Sequence, residues 1–184
     1  NYGIFLDMKN GRTWLRENSQ QKRVLNLFSY TCAFSNAAIA GGAEQVVNLD
    51  MSKAALAVGR DNHRLNGHDL DKVKYLGHDL FKSWGKVKRL GPYDIVIADP
   101  PSLQKGSVNI QRDYPKIMRR LPELLKPGGQ ALLCLNSPDL DFQFIYDALA
   151  EHCPTAKVIN VIEPPIEFTN SDRDKGLKCV LVSI

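Results

Sequence analysis

The chain has 184 residues, 43% of them hydrophobic and 24% charged, with a formal net charge of +4. That length gives one domain enough core to fold by itself, and no apolar run approaches the ~20 residues of a helical bilayer span. The mild positive charge permits contact with nucleic acid without requiring it.

No charged-then-apolar leader opens the chain, and Asn1 is not an initiator methionine, so an excised piece of a longer protein is the expectation. Cys32, Cys134, Cys153 and Cys179 are too far apart for a disulfide framework or a C-x-x-C pair, which predicts reduced core thiols and a cytoplasmic setting.

In chain order, GIFLD at 3–7 precedes Lys9-Asn10-Gly11-Arg12, where Asn-Gly signals a turn and a candidate hairpin. A helix from Thr13 to Asn18 then runs toward Lys22-Arg23. Residues 1–22 thus read as a hairpin-and-helix extension packed on a core formed by 23–184. Val24 to Phe28 is a short buried strand, Ser29-Tyr30-Thr31 a polar turn or cap, and Ala33 to Ala40 a small-residue helix stopped by Gly41-Gly42. Gln45 to Leu49 is the second strand, closed by Asp50. Ser52 caps a helix through Asn66, and Val73 to Leu76 is a third strand followed by Gly77-His78-Asp79.

A short basic helix over 81–90 stops at Gly91-Pro92, and the fourth strand, Tyr93 to Ala98, ends in Asp99-Pro100-Pro101-Ser102. Residues 102–109 read as a mobile loop and Gln111 to Leu125 as a helix with Pro115 near its start. A Lys126-Pro127-Gly128-Gly129 turn leads to a fifth strand, Gln130 to Leu135. After Asn136 come a helix from about Asp141 to Glu151, a strand over Lys157 to Ile162, a long loop, and a last strand from Leu177 to Ile184. The alternation predicts an α/β fold, a doubly wound and mostly parallel sheet of seven strands whose last strand is antiparallel.

Strand, turn, helix, strand, acid is the first half of a nucleotide-binding unit, and a carboxylate at the tip of the second strand can accept hydrogen bonds from both ribose hydroxyls. Between Phe28 and Asn36 there is no glycine. A G-x-G-x-x-G pyrophosphate turn is therefore missing, and a phosphate-free nucleoside cofactor, S-adenosylmethionine, fits better. Asp50, Asp79, Asp99 and Asn136 all fall at C-terminal strand ends, where ligands bind in open α/β sheets. Asp79 would suit an adenine amino group. At Asp99-Pro100-Pro101 the prolines fix their own φ and donate no hydrogen bond, leaving an acceptor-rich corner that can orient the N–H groups of a planar base. No metal is required, and His63, His68, His78 and His152, lacking ligand spacing, are expected at the surface or at helix ends, with His78 alone near the pocket.

GIFLD at 3–7, LNLFSYT at 25–31, LDMS at 49–52, N-x-x-L-N-G at 62–67, Asp79 and ADPPS at 98–102 together resemble the bacterial large-subunit ribosomal RNA methyltransferases that modify cytosine at carbon 5 or guanine at nitrogen 7. The resemblance covers about Gly3 to Leu135 and implies the Rossmann-like fold of class I S-adenosylmethionine-dependent methyltransferases. It implies that Phe28, Ser29, Tyr30 and Thr31 line the methionine end of the cofactor, that Asp50 holds the ribose with Met51 on the adenine, and that Asp99 with Pro100 faces the substrate base. Ser52 and His78 join the cofactor set, and Pro101 and Asn136 the acceptor side.

Three departures stand out. Cys32 replaces a frequent glycine and could narrow the cofactor pocket, Leu103 replaces an aromatic able to stack on a base, and Asn136 stands where the cytosine branch has a nucleophilic cysteine. Without that nucleophile, transfer to a nitrogen is favoured. The leading reading is an RNA base methyltransferase acting on ribosomal RNA, with Lys82, Lys86, Lys88, Arg89, Lys116, Arg119 and Arg120 able to track phosphates or simply to form solvated helix faces. A methyltransferase for a small molecule or protein, and a non-catalytic nucleotide-binding module, remain open, as does the oligomeric state.

Overall fold

The computed structural model describes residues 3–101 and 108–184. Seven strands form one sheet in the order β3-β2-β1-β4-β5-β7-β6. They are β1 (Arg23–Leu27), β2 (Gln45–Asp50), β3 (Val73–Gly77), β4 (Tyr93–Ala98), β5 (Leu125–Asn136), β6 (Lys157–Val161) and β7 (Leu177–Ser183). The pairings among β1 to β5 are parallel, and β7 runs antiparallel between β5 and β6. A connection with two 3-10 turns (Ile166–Phe168 and Arg173–Lys175) and no α-helix joins β6 to β7, which is what an antiparallel neighbour allows.

The central strands are buried on both faces, so their residues alternate between two cores. Leu25, Val47, Val96 and Leu133 face a cluster completed by α4 (Trp84–Arg89), α5 (Ile110–Leu124) and α6 (Phe142–His152). Val24, Val46, Ile95 and Leu132 face the other, which takes Leu15 of α1 (Lys9–Asn18) and Phe34 and Ala38 of α2 (Ala33–Ala40). The remaining helix, α3 (Lys53–Leu65), begins where the Ser52 hydroxyl accepts from Ala55 N at 3.1 Å and is followed by Asn66 and Gly67, whose φ is +65°. At the β4–β5 pairing the register jumps from Leu125 to Gln130, so Lys126-Pro127-Gly128-Gly129 forms an irregularity within a strand rather than a turn before one.

Further sequence expectations change. The Asn10-Gly11 pair makes no hairpin, because a 3-10 turn (Leu6–Met8) passes directly into α1 and Gly11 lies inside that helix. Tertiary packing overrides the local turn signal: Met8 and Leu15 are buried, and a Cβ on Gly11 would already stand 3.5 Å from the Phe34 ring and from Leu132. The basic helix over 81–90 divides into a 3-10 turn (Leu80–Lys82), started by the Asp79 carboxylate, and α4. Pro115 sits in the second turn of α5, whose cap is Asn109. Ser102 and Leu103, with most of the expected mobile loop, lie outside the described residues.

Candidate functional site

A cleft of about 580 Å³ opens at the C-terminal ends of β1, β2, β4 and β5. Its lining includes Phe28, Ser29, Tyr30, Thr31, Asp50, Met51, Ser52, Asp99, Pro100, Pro101 and Asn136. His78 and Asp79 lie outside that lining, past the end of β3, where Gly77 pairs with Asp50. Asp79 Oδ1 accepts from Phe81 N at 2.9 Å, and the His78 ring meets Lys86 Nζ at 2.9 Å.

The turn after β1 is unusual backbone. Phe28, Tyr30 and Cys32 all have left-handed φ, at 57°, 46° and 64°, a conformation that costs of order 1 kcal/mol or more for each non-glycine residue unless the surroundings impose it. The surroundings do. Ser29 N donates to Leu49 O (3.0 Å), Tyr30 N to Asp50 Oδ2 (2.9 Å), and Asn62 Nδ2 of α3 to Thr31 O (3.1 Å). Ser52 N donates to the other Asp50 oxygen at 2.8 Å, so this carboxylate fastens the turn while facing the cleft. The left-handed φ at position 32 explains why glycine suits it. Cys32 is not among the residues that line the cleft; it packs on α3 so tightly that a Cβ on Gly59 would fall 2.4 Å from its sulfur. Burial there pushes its thiol up to about 12.

Across the cleft the environment differs. Asp99 is half-buried beside Pro100, and loss of hydration, with a smaller contribution from the Asp7 carboxylate, raises its carboxyl to about 7. Asp7 comes from the 3-10 turn before α1 and accepts from Asn136 Nδ2 at 3.4 Å. The segment leading into Asp7 is tied down at two points: the Thr31 hydroxyl donates to Gly3 O, and Arg12 Nη1 donates to Phe5 O at 2.6 Å. Phe5, 50% exposed, stands 5.9 Å from the Tyr30 ring at the cleft wall. The Asn136 corner is held from behind by fully buried Lys178, whose ammonium donates to Ser137 O (3.0 Å), Gly176 O (2.8 Å) and Asp174 O (2.5 Å).

Sequence reasoning missed Asp7, Arg12 and Asn26 as lining residues. Asn26 also begins a buried polar chain: its amide donates to Asn48 Oδ1 (2.9 Å), Asn48 to Ser35 Oγ (2.9 Å), and Ser35 meets His63 Nε2 (2.8 Å), whose Nδ1 faces His68 (2.9 Å). His63 stands in the last turn of α3, at a helix end as expected, but it is fully buried, and desolvation, then His68, lowers its pKa to about 4. An asparagine at the matching place in each of two adjacent apolar strands, Asn26 and Asn48, was the available signal.

A family model of S-adenosylmethionine-dependent methyltransferases matches residues 1–183. The chain belongs to that family. Ribosomal RNA large subunit methyltransferase I of Klebsiella pneumoniae (strain 342) is 38% identical over 154 residues, covering 79% of this chain and 38% of that protein. Its namesake from Aeromonas salmonicida (strain A449) is 37% identical over 134 residues, covering 71% and 34%. This S-adenosylmethionine-dependent methyltransferase chain therefore spans little more than a third of those relatives. The protein designated SMU.776, described as a methyltransferase and solved with SAH, matches with a TM-score of 0.90 at 29% identity, over 99% of this chain and 50% of that one. Among the described residues of this family member, no helix is long and apolar enough to cross a membrane, and no group of three His, Cys, Asp or Glu could hold a metal.

Proposed function

We propose that this domain transfers a methyl group from S-adenosylmethionine to a nitrogen of an RNA base, with large-subunit ribosomal RNA in the bacterial cytoplasm as the substrate. The observation that carries the reading is that Asp50 and Asp99, from strands two apart in the sheet order, open into one cleft.

The donor set suits the cofactor. A carboxylate offers about four lone-pair sites, and Asp50 spends one oxygen on Tyr30 N and the other on Ser52 N, which leaves acceptors for two ribose hydroxyls. Met51, 62% exposed, offers an apolar face to adenine, with Ser52 beside it and His78 and Asp79 proposed at the outer edge of the ring. The strained turn from Phe28 to Thr31 would enclose the methionine end. When bound, the cofactor supplies an electrophilic methyl on a sulfonium.

On the acceptor side, Asp99 takes a hydrogen bond and then the proton from the attacking N–H, and a carboxyl near 7 is matched to that exchange at neutral pH. Pro100 and Pro101 keep the corner rigid, and Asn136 with Asp7 borders it. Holding nitrogen and methyl in line can supply several kcal/mol of the barrier reduction. Nitrogen is favoured over carbon because no cysteine lines the cleft among the described residues, and Cys134 is buried with its sulfur 3.7 Å from that of Cys179. RNA is favoured because the curated relatives are named for ribosomal RNA.

The test is incorporation of labelled methyl into undermodified ribosomes or their RNA by the full-length protein. Incorporation that Asp99→Ala abolishes supports the reading. Absence of incorporation across those substrates, or label arriving only in a small molecule or protein, overturns it.

A further inference from the structure

We propose that the outer face built from the Leu80–Lys82 turn, α4 and α5 is the surface on which this domain docks the sugar–phosphate backbone of its RNA. The proposal rests on the RNA reading above and adds where the strand runs.

Charge is the first support. Residues 78–90 and 110–124 carry eight Lys or Arg against three Asp or Glu, whereas all other residues hold sixteen against seventeen. The positive charge of the whole chain is thus gathered into two segments, and the fold packs them together, with α4 against α5. A solvated helix face has no reason to collect the entire surplus; a polyanion-binding face does.

Order is the second support. Lys116 Nζ lies 5.5 Å from the centre of the Phe81 ring and the Arg120 guanidinium 5.7 Å from that of Trp84, while the two rings meet edge to face at 6.2 Å. Cations held over aromatic rings lose less side-chain freedom when they meet a phosphate. The carboxylates are already engaged: Asp113 takes Arg112 and Lys116, Glu123 takes Lys88 and Arg120, and Asp79 takes Lys82 at 3.8 Å. Lys86 and Arg119 instead meet the imidazoles of His78 and His152. Lys82 remains 84% exposed.

Placement is the third. Val108 lines the cleft, and α5 starts two residues later. A 15-residue helix extends about 22 Å. A strand whose target base enters beside Asp99 therefore meets this face immediately.

The test compares two triple variants of the full-length protein. Lys82→Gln, Lys86→Gln and Arg120→Gln removes charge from the face; Lys22→Gln, Lys157→Gln and Lys175→Gln removes as much elsewhere. Binding to undermodified large-subunit ribosomal RNA is measured across salt concentrations, methyl transfer to it gives KM and kcat, and S-adenosylhomocysteine titration confirms that each variant is folded. The first triple should lower the slope of log affinity against log salt by about 2, at roughly 0.7 per phosphate contact. It should raise the RNA KM about tenfold or more with kcat unchanged, while the second triple leaves both near wild type. Methylation by wild type with equal slopes and KM values in all three proteins, or equal losses in both triples, sinks the docking face and leaves the RNA reading standing. A wild type that neither binds nor methylates the RNA removes both.

Discussion

Two aspartates at strand ends that flank β1 show how environment divides labour. Asp50 is bound by two backbone N–H groups and anchors a turn with three left-handed residues. Asp99 sits among prolines and beside a second carboxylate, and its acidity is displaced to about 7. One carboxylate is built to accept hydrogen bonds and the other to exchange a proton, a separation set by solvation and neighbours rather than by residue type.

Removing each carboxylate should therefore fail differently. Asp99→Asn should lower methyl transfer by about 10³-fold, within the range for general-base loss, while S-adenosylhomocysteine affinity by calorimetry stays within a few-fold. Loss of ligand affinity in this variant would merge the two roles. Asp50→Ala should weaken that ligand about 100-fold, since two hydrogen bonds to a charged acceptor contribute roughly 3 kcal/mol. Unchanged affinity would remove Asp50 from the cofactor side.

A third expectation concerns the polar chain behind the turn. His63→Ala should destabilise the fold by about 2 kcal/mol, because Ser35 and Asn48 lose a buried partner. His63 has a folded pKa of about 4, below the ordinary imidazole value, so the unfolded chain takes up its proton first as pH falls. Stability linked to it is complete above about 6.5 and lost progressively toward 4. Melting temperature measured from pH 7 to 4.5 should fall in wild type and fall less in the variant. The smallest effect is expected from Asp7→Asn, which removes a like charge from Asp99. The pH–rate midpoint, near 7 in wild type as Asp99 ionises, should move down by less than about one unit. The same linkage has the opposite sign for stability: the raised pKa of Asp99 means the native state holds its proton to higher pH, so folding weakens as pH climbs from about 4 through 7.

The order of strands and helices was legible because each element announces itself locally. Val24 to Leu27 and Tyr93 to Ala98 are apolar runs of strand length, and Ser52, Asn109 and Asp141 cap helices by accepting from the backbone N–H three residues further on. Asp50, Asp99 and Asn136 could be placed at one sheet end because parallel strands put all their C-terminal tips together. The hairpin did not form, and His63, though at a helix end as expected, is buried, since Gly11 answers to the ring of Phe34 and His63 to the hydroxyl of Ser35, partners at least 23 residues away in the chain.

Alone, the sequence determined the α/β order, the sheet end that carries the cleft and the family to which the chain belongs, all of which follow from local period and motif. Only tertiary structure decided that Asp7 stands beside Asp99, that Cys32 turns toward Gly59, and that the basic residues of two separate segments share one face. Those facts depend on distances between remote residues, which no local pattern encodes.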